Sequence, residues 1–511
     1  MAALLLPLVG CTTLDRATAR TPSSTLSEAD ALSTGLGRAW SAAAPDDPAF
    51  SAFRLLPNNL EAFAARVAMI DAAERTLDLQ YYIIHNDDIG LFLIDRLVTA
   101  ADRGVRVRIL VDDMYAHGIE KGLAAFDAHE NIELRIFNPW TQRSNKLARG
   151  FEFLFTPRLN HRMHNKLMVA DGIVAILGGR NLADEYFDLH DEFEYRDLDV
   201  AAAGPVVAGA NRLFDEFWNG PDAIPVTGLK PRPDVAAALA SGRDRLAAHR
   251  ARMKDSPYAD AVRATEFVQQ LRSRSLQWVF ASGRVVGDAP DKTTRAGEAD
   301  WTKSLADELR DVFFSAKQEL LITSPYFVPQ KKPTARLCNL AASGTRVRIL
   351  TNSQVSTDVA LVHAGYTKYR PRLVAGGVEL FELRRRGASV TKDKRTFGSS
   401  NTSLHAKTFV VDRRRVFIGS LNLDPRSVAI NTEIGVLIDS PALADGVADK
   451  ITALMSPAWS YRLTRSPAGK LIWTCEDATG REIRFTHDPG TSWWGRFKNG
   501  LLGLLPIEGQ I

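Results

Sequence analysis

The sequence predicts an α/β protein made of two pseudo-symmetric halves, each with a mixed, mostly parallel sheet flanked by helices. Three observations carry this. Residues 100–113 (AADRGVRVRILVDD) and 340–353 (LAASGTRVRILTNS) match one another, with Gly104 and Gly344 240 positions apart. Each copy is bracketed by apolar, β-branched-rich runs, 77–84 and 132–137 in the first, 320–327 and 378–383 in the second. The 511 residues are enough for two large units, or roughly three of ~150 residues.

Taken in order, each copy reads as a helix C-terminus closed by Gly104 or Gly344, then a strand ending in polar residues, Asp112-Asp113 or Asn352-Ser353. Strand, helix, strand repeated within each half argues for parallel neighbours, and such sheets place ligands at their strand ends. Asp112 and Asp113 are read as strand-end capping residues in preference to metal ligands. The halves are assigned to 46–225 and 276–511. Between them, 226–275 is Ala/Arg-rich, with Pro231 and Pro233, and reads as a helical connector or insertion.

Composition excludes several classes. Hydrophobic residues make up 45% and charged residues 24%, an ordinary globular balance. A net charge of +4 is too small to announce a nucleic-acid or anionic-membrane binder. Three cysteines (Cys11, Cys338, Cys475) cannot build a disulfide scaffold, and none has a zinc-site spacing.

Residues 2–10, AALLLPLVG, lead into Cys11-Thr12, which resembles the lipobox of a bacterial lipoprotein signal (1–11), although no Lys or Arg precedes Arg16. Residues 12–45 are Ala/Ser/Thr/Pro-rich and read as a tether. The resemblance implies acylation of Cys11. With Thr12 and not Asp following, it also implies a protein of the bacterial cell envelope, anchored at the periplasmic face of the outer membrane. No run approaches the ~18 apolar residues of a spanning helix. The aromatic, basic and Leu-rich C-terminal stretch from Trp493 to Pro506 fits either a lipid interface or a terminal helix packed on the body.

The repeat extends to two segments that carry chemistry. His164-Asn165-Lys166 with Asp171 is followed by Gly178-Gly179-Arg180-Asn181, and His405-Ala406-Lys407 with Asp412 by Gly419-Ser420-Leu421-Asn422; the histidines are 241 apart. One such pattern arises by chance about 0.03 times in a chain of this composition. Two, in register with an independent repeat, do not. Asp171-Gly172 between apolar runs predicts a two-residue hairpin turn, which pairs His164 with Gly179 and, by the same spacing, His405 with Ser420. Side-chain alternation then groups His, Lys and Asn (Asn181, Asn422) on one face, where small Gly179 and Ser420 leave room for a ligand.

Two imidazoles, two ammonium groups and two amides suit a phosphate, whose oxygens they neutralise in a pentacoordinate transition state. One imidazole can attack phosphorus while the other protonates the leaving oxygen. The lysines take the place of a divalent ion, so neither metal nor cofactor is required. Asp197 and Glu433, each eight residues before a proline (205 and 441), are candidates to hold an imidazole of their own or the opposite half in the right tautomer. Asp171 and Asp412, at the turns, are assigned structural roles.

These segments and the duplication resemble the phospholipase D superfamily, with Gly-Gly-Arg-Asn in the first copy where Gly-Ser-x-Asn is commoner, so that the serine phosphate ligand stands only at Ser420. Further blocks, among them 53–57, Asp78-Leu79-Gln80-Tyr81-Tyr82, Asp358, His363, Tyr366, Tyr369-Arg370 and 422–427, resemble the bacterial cardiolipin synthase C type over about residues 50–511. The resemblance implies a phosphohistidine on His164, with His405 as acid/base and a phosphatidyl group passed to an alcohol. Phosphatidylglycerol would be the acceptor, a second phosphatidylglycerol or phosphatidylethanolamine the donor; water as acceptor would give hydrolysis. His363, Tyr366, Tyr369 and Arg370 fit either a headgroup pocket or a buried helix face. Two rivals stand beside this: a nucleic-acid phosphodiesterase of the same superfamily, and a non-catalytic membrane-tethered phosphate-binding protein. The charge, lipobox and aromatic tail weigh against nucleic acid as partner, and two intact motif copies against a non-catalytic role.

Overall fold

In the first half, Thr76–Tyr81, Arg106–Asp112 and Ile132–Phe137 lie side by side as parallel strands, connected through the helices Asp88–Asp102 and Glu120–Asp127. The computed structural model describes residues 13–116, 119–143, 146–190, 194–230, 234–293, 304–385 and 402–503; the lipobox with Cys11 lies outside the described residues. The three strands are almost wholly buried, as expected for a parallel sheet covered on both faces. Asp87 starts the first helix by accepting from the Gly90 N–H at 2.9 Å, and Gly104 ends its turn with φ 92°. Gly344 does the same in the second half with φ 96°.

Beyond Thr76–Tyr81 the sheet continues antiparallel through Lys166–Ala170, Val174–Gly178, Asp199–Ala203 and Phe50–Leu56. The second half repeats the plan. Glu319–Thr323, Arg346–Asn352 and Glu379–Leu383 are parallel; Lys407–Val411, Arg415–Gly419, Ile434–Asp439 and Val279–Gly287 follow antiparallel. Phe50–Leu56 pairs with Val279–Gly287, so the two sheets run on as one of 18 strands among the described residues. The parallel part is three strands per half. The motif strands add antiparallel pairings because they return by a tight turn and not by a helix.

That turn differs from the two-residue hairpin expected of Asp171-Gly172. Asp171 and Gly172 do adopt φ 49° and 67°, and Ile173 N–H reaches Ala170 C=O at 3.1 Å, the geometry of a type I′ turn. Ile173 is nevertheless an extra, bulged residue, since Ala170 pairs with Val174. The register therefore shifts by one: Lys166 would face Gly178, and His164 is not opposite Gly179. The second hairpin makes the same shift, with Val411 paired to Arg415 and Lys407 to Gly419, so His405 is not opposite Ser420.

The hairpins of the two halves meet in a shared core in which Phe53, Val200, Val416, Ile418 and Val436 are all fully buried. Each such side chain contributes about 1.5–3 kcal/mol on leaving water. Within 226–275, the helices Val235–Lys254, Pro257–Arg263 and Glu266–Arg272 pack on the first half; Arg250 pairs with Asp95 and Tyr258 donates to Phe187 C=O. The C-terminal helix Trp493–Gly503 lies on Ala360–Thr367 and presents Trp493, Trp494, Phe497 and Leu501 outward. Beneath it His363, Tyr366 and Arg370 are buried, and Arg370 bridges Glu382 and Asp488. A buried helix face accounts for them.

Candidate active site

Each motif histidine is fixed by the opposite half. The His164 N–H donates to Thr432 C=O and the His405 N–H to Arg196 C=O, both at 2.8 Å. The next residue along each accepting strand is a carboxylate. Glu433 Oε2 lies 2.8 Å from His164 Nδ1, and Asp197 Oδ2 lies 2.5 Å from His405 Nδ1. Asp197 Oδ2, and Glu433 Oε2 that also accepts from the Ser420 hydroxyl, act as acceptors, so each Nδ1 carries a proton and each Nε2 is left for chemistry. The two connections are crossed, and a short parallel pairing of Glu194–Arg196 with Thr402–Leu404 holds them in register.

The lysines stand between the pairs. Lys166 Nζ donates to His164 C=O at 2.7 Å and lies 5.3 Å from the Tyr82 ring centre. Lys407 Nζ donates to His405 C=O and sits 2.8 Å from His405 Nδ1. Aromatic rings wall both imidazoles: Tyr82 packs edge-on at 5.0 Å from His164, and Tyr186 and Tyr195 lie 5.1 and 4.7 Å from His405. Tyr195 and Tyr326 both donate to Asp358.

Burial and cation crowding set the charges. Burial, then Lys166, Lys407 and His405, push His164 well below the usual imidazole range. Burial and Lys407 lower His405 to about 4, against the pull of Asp197. Burial would raise Asp197, but His405, Lys407 and Arg180 together hold it well below the carboxylate range. Glu433, in contrast, is lifted by burial to about 7, with Lys166 and Ser420 opposing. Burial also brings Lys407 down to about 8 and Lys166 well below its ordinary value. Both lysines depress both imidazoles, which places the four groups in one electrostatic neighbourhood.

The remaining candidates divide. Ser420 Oγ donates to Glu433 Oε2 at 2.5 Å and accepts from Ile434 N–H. Gly179 occupies the matching place against Asp197, and a Cβ there would collide with that carboxylate. Asn181 Nδ2 donates to the Tyr186 hydroxyl, and Asn422 Nδ2 lies 3.4 Å from Ser427 Oγ, the same i, i+5 relation in both halves. Asp171 and Asp412 sit at the far ends of the hairpins. Asp171 accepts the N–H groups of Glu74, Arg75 and Thr76; Asp412 accepts those of Lys317, Gln318 and Glu319. Asp112 accepts from Arg162 and from the Met163 N–H, positioning the residue before His164, while Asp113 pairs with Arg143. Among the described residues one group has metal-like clustering, His85, Asp87 and Glu185. Both Asp87 oxygens already accept backbone N–H groups, from Gly90 and Asp184.

Sequence reasoning did not single out Tyr186 and Tyr195, which flank His405. The one available signal was the repeat itself, since Tyr186 stands 241 residues before Ser427, in step with the histidines.

Paired imidazoles backed by carboxylates and flanked by lysines, on a duplicated α/β sheet, define the site of a phospholipase D-type phosphatidyltransferase. The family described as cardiolipin synthase, PLD-like domain, matches residues 67–218 and 309–455. Cardiolipin synthase C of Escherichia coli is 38% identical over 89% of this chain and 94% of its own length. Cardiolipin synthase A of Pseudomonas putida is 27% identical over 77% of this chain and 66% of its own. In fold, the chain is similar to phosphatidylserine synthase of Haemophilus influenzae, with a TM-score of 0.53, 14% identity, and coverage of 80% of this chain and 86% of that one. The chain belongs to the PLD-like cardiolipin synthase family.

Proposed function

We propose that the protein makes cardiolipin by passing a phosphatidyl group to phosphatidylglycerol through a phosphohistidine on His164. The observation that carries this is the crossed pair of His–carboxylate contacts with a lysine beside each. His164 Nε2 attacks phosphorus and the P–O bond to the departing headgroup alcohol breaks, its oxygen taking the Nε2 proton of His405 in its imidazolium form, which the ionised Asp197 stabilises. The acceptor hydroxyl then gives its proton back to His405 and attacks phosphorus, breaking the P–N bond. Lys166 and Lys407, with the amides of Asn181 and Asn422, neutralise the non-bridging oxygens, and Ser420 adds a hydroxyl. The assignment of roles rests on charge: His405 keeps an ionised partner, Asp197, and is the easier imidazole to protonate, whereas His164 is held neutral. Phosphatidylglycerol or phosphatidylethanolamine serves as donor.

The reading includes a membrane-bound enzyme, acylated at Cys11 and facing the periplasm from the outer membrane. Two helices support contact with lipid. Lys146–Phe155 exposes Leu147, Phe151 and Phe155, and Trp493–Gly503 exposes its aromatic side. No described helix is long and apolar enough to cross a membrane.

The test is product analysis by mass spectrometry of purified protein in mixed phospholipid micelles. Cardiolipin, or phosphatidic acid when water is the acceptor, is expected, and the rate persists in EDTA. Cleavage of DNA or RNA that needs both histidines, with no lipid turnover, would replace this reading by the nucleic-acid one. Cys11→Ser is expected to release the protein from membranes.

A further inference from the structure

Beside the active site lies a cavity of about 860 Å³ on the helix-covered face of the first half's sheet. Its floor is Ile109, Val111 and Leu134 from the parallel strands; its walls include Leu97 and Phe126 from the helices Asp88–Asp102 and Glu120–Asp127. Its roof is the connector helix Val235–Lys254, which turns Ala238, Gly242 and Leu246 toward it. Close-packed layers leave voids little larger than a water molecule of ~30 Å³, whereas small-molecule sites span about 300–1,000 Å³. The space has the size of a small-molecule site. Small roof residues keep it open: a Cβ at Gly242 would meet only Ala125, at 3.9 Å.

We propose that this cavity holds an acyl chain of the phospholipid whose phosphate sits between the histidines, and that the connector helix is its roof. The inference rests on the phosphatidyl-transfer reading and adds a subsite to it. Continuity with the phosphate site argues for that occupant. One end of the cavity is formed by Ile84, His85 and Leu182. Leu182 directly follows the motif residue Asn181, and Ile84 is bridged to it. The His85 ring lies 5.6 Å from that of Tyr115, which lies 5.8 Å from that of Tyr82, which packs on His164. A largely apolar cavity that ends one residue from the phosphate-binding motif, lies under the connector helix and carries charged residues such as Glu120, Lys121 and Arg243 at its margin fits a hydrocarbon chain attached to that phosphate.

Gly242→Trp, and Ala238→Phe one turn earlier, fill the cavity without touching the histidines. The readout is the ratio of kcat/KM for dioleoyl- over dihexanoyl-phosphatidylglycerol, which is expected to fall at least tenfold in both. Ala247→Trp, on the exposed side of the same helix, keeps the wild-type ratio. An unchanged ratio in the filled variants overturns the subsite and leaves phosphatidyl transfer standing. Binding of cis-parinaroyl phosphatidylglycerol is read separately, by fluorescence. Saturable binding to wild type that is at least tenfold weaker in Gly242→Trp supports the cavity even if no lipid is turned over, a result that would sink only the proposed activity. Equal binding to both proteins overturns the cavity.

Discussion

The two halves carry the same hairpin, the same His-x-Lys spacing and the same i, i+5 amide contact, yet they hand each other different carboxylates. The first half offers Asp197 beside Gly179 to His405; the second offers Glu433, shared with the Ser420 hydroxyl, to His164. Asp197 is held ionised by His405, Lys407 and Arg180, while burial lifts Glu433 to about 7. A near-symmetric backbone thus puts an ionised carboxylate behind one imidazole and a carboxyl group lifted toward neutrality behind the other.

The strongest challenge to this contrast is removal of either ring. His164→Ala and His405→Ala should each lower turnover by about 10⁴-fold. The asymmetry shows in what accumulates: ³²P-labelled protein is expected from His405→Asn and not from His164→Asn, and the reverse pattern would exchange the two roles. Next in size, Lys166→Ala and Lys407→Ala should each cost ~10²–10³-fold in kcat, as loss of a transition-state donor does; an unaffected rate would remove the lysines from phosphate neutralisation. The carboxylates separate the halves directly. Asp197→Asn is expected to lose ~100-fold at every pH. Glu433→Gln should cost about tenfold or less at pH 6, where burial already keeps Glu433 protonated and the amide reproduces its accepting oxygen. Equal losses in the pH–rate profiles would erase the distinction.

The smallest effect is thermal and has opposite signs in the two halves. Glu433 binds its proton up to about pH 7 when folded but only to 4.5 when exposed. Stability therefore falls as pH rises across that window, and Glu433→Gln should raise the melting temperature at pH 8 by ~3 °C, with the gain shrinking toward pH 4.5. Asp197 is depressed below its ordinary 3.8, so it stabilises above that pH and the benefit is lost on acidification below it. Asp197→Asn should accordingly lower the melting temperature at pH 8. Calorimetry at both pH values reads the two signs.

Much of this was legible in the sequence, because duplication turns a weak motif into a strong one. Gly104 and Gly344 marked helix ends, the apolar runs marked the parallel strands, and the His-x-Lys segments marked the antiparallel hairpins. What escaped was set by geometry without a residue code. Asp171-Gly172 does encode the turn, but nothing in Ile173 announces that it will bulge and shift the register. The choice between own and opposite carboxylate depended on how the halves dock, which no spacing within one half contains. Tyr186 and Tyr195 reach His405 from the other half and for the same reason carried no local signal. Arg370 and His363 were ambiguous because a buried polar network and a ligand pocket draw on the same residue types. For the stretch from Trp493 the packed-helix expectation is met: Trp493–Gly503 is seated on the body with its aromatic side outward.

The crossing has a consequence for how the molecule matures. Each half carries an acidic side chain whose hydrogen-bond partner is an imidazole of the other half, and in the finished chain both acidic side chains are fully buried. The two His–carboxylate contacts therefore exist only when the halves are docked. A chain whose halves have not docked lacks both of the His–carboxylate contacts on which the proposed transfer depends.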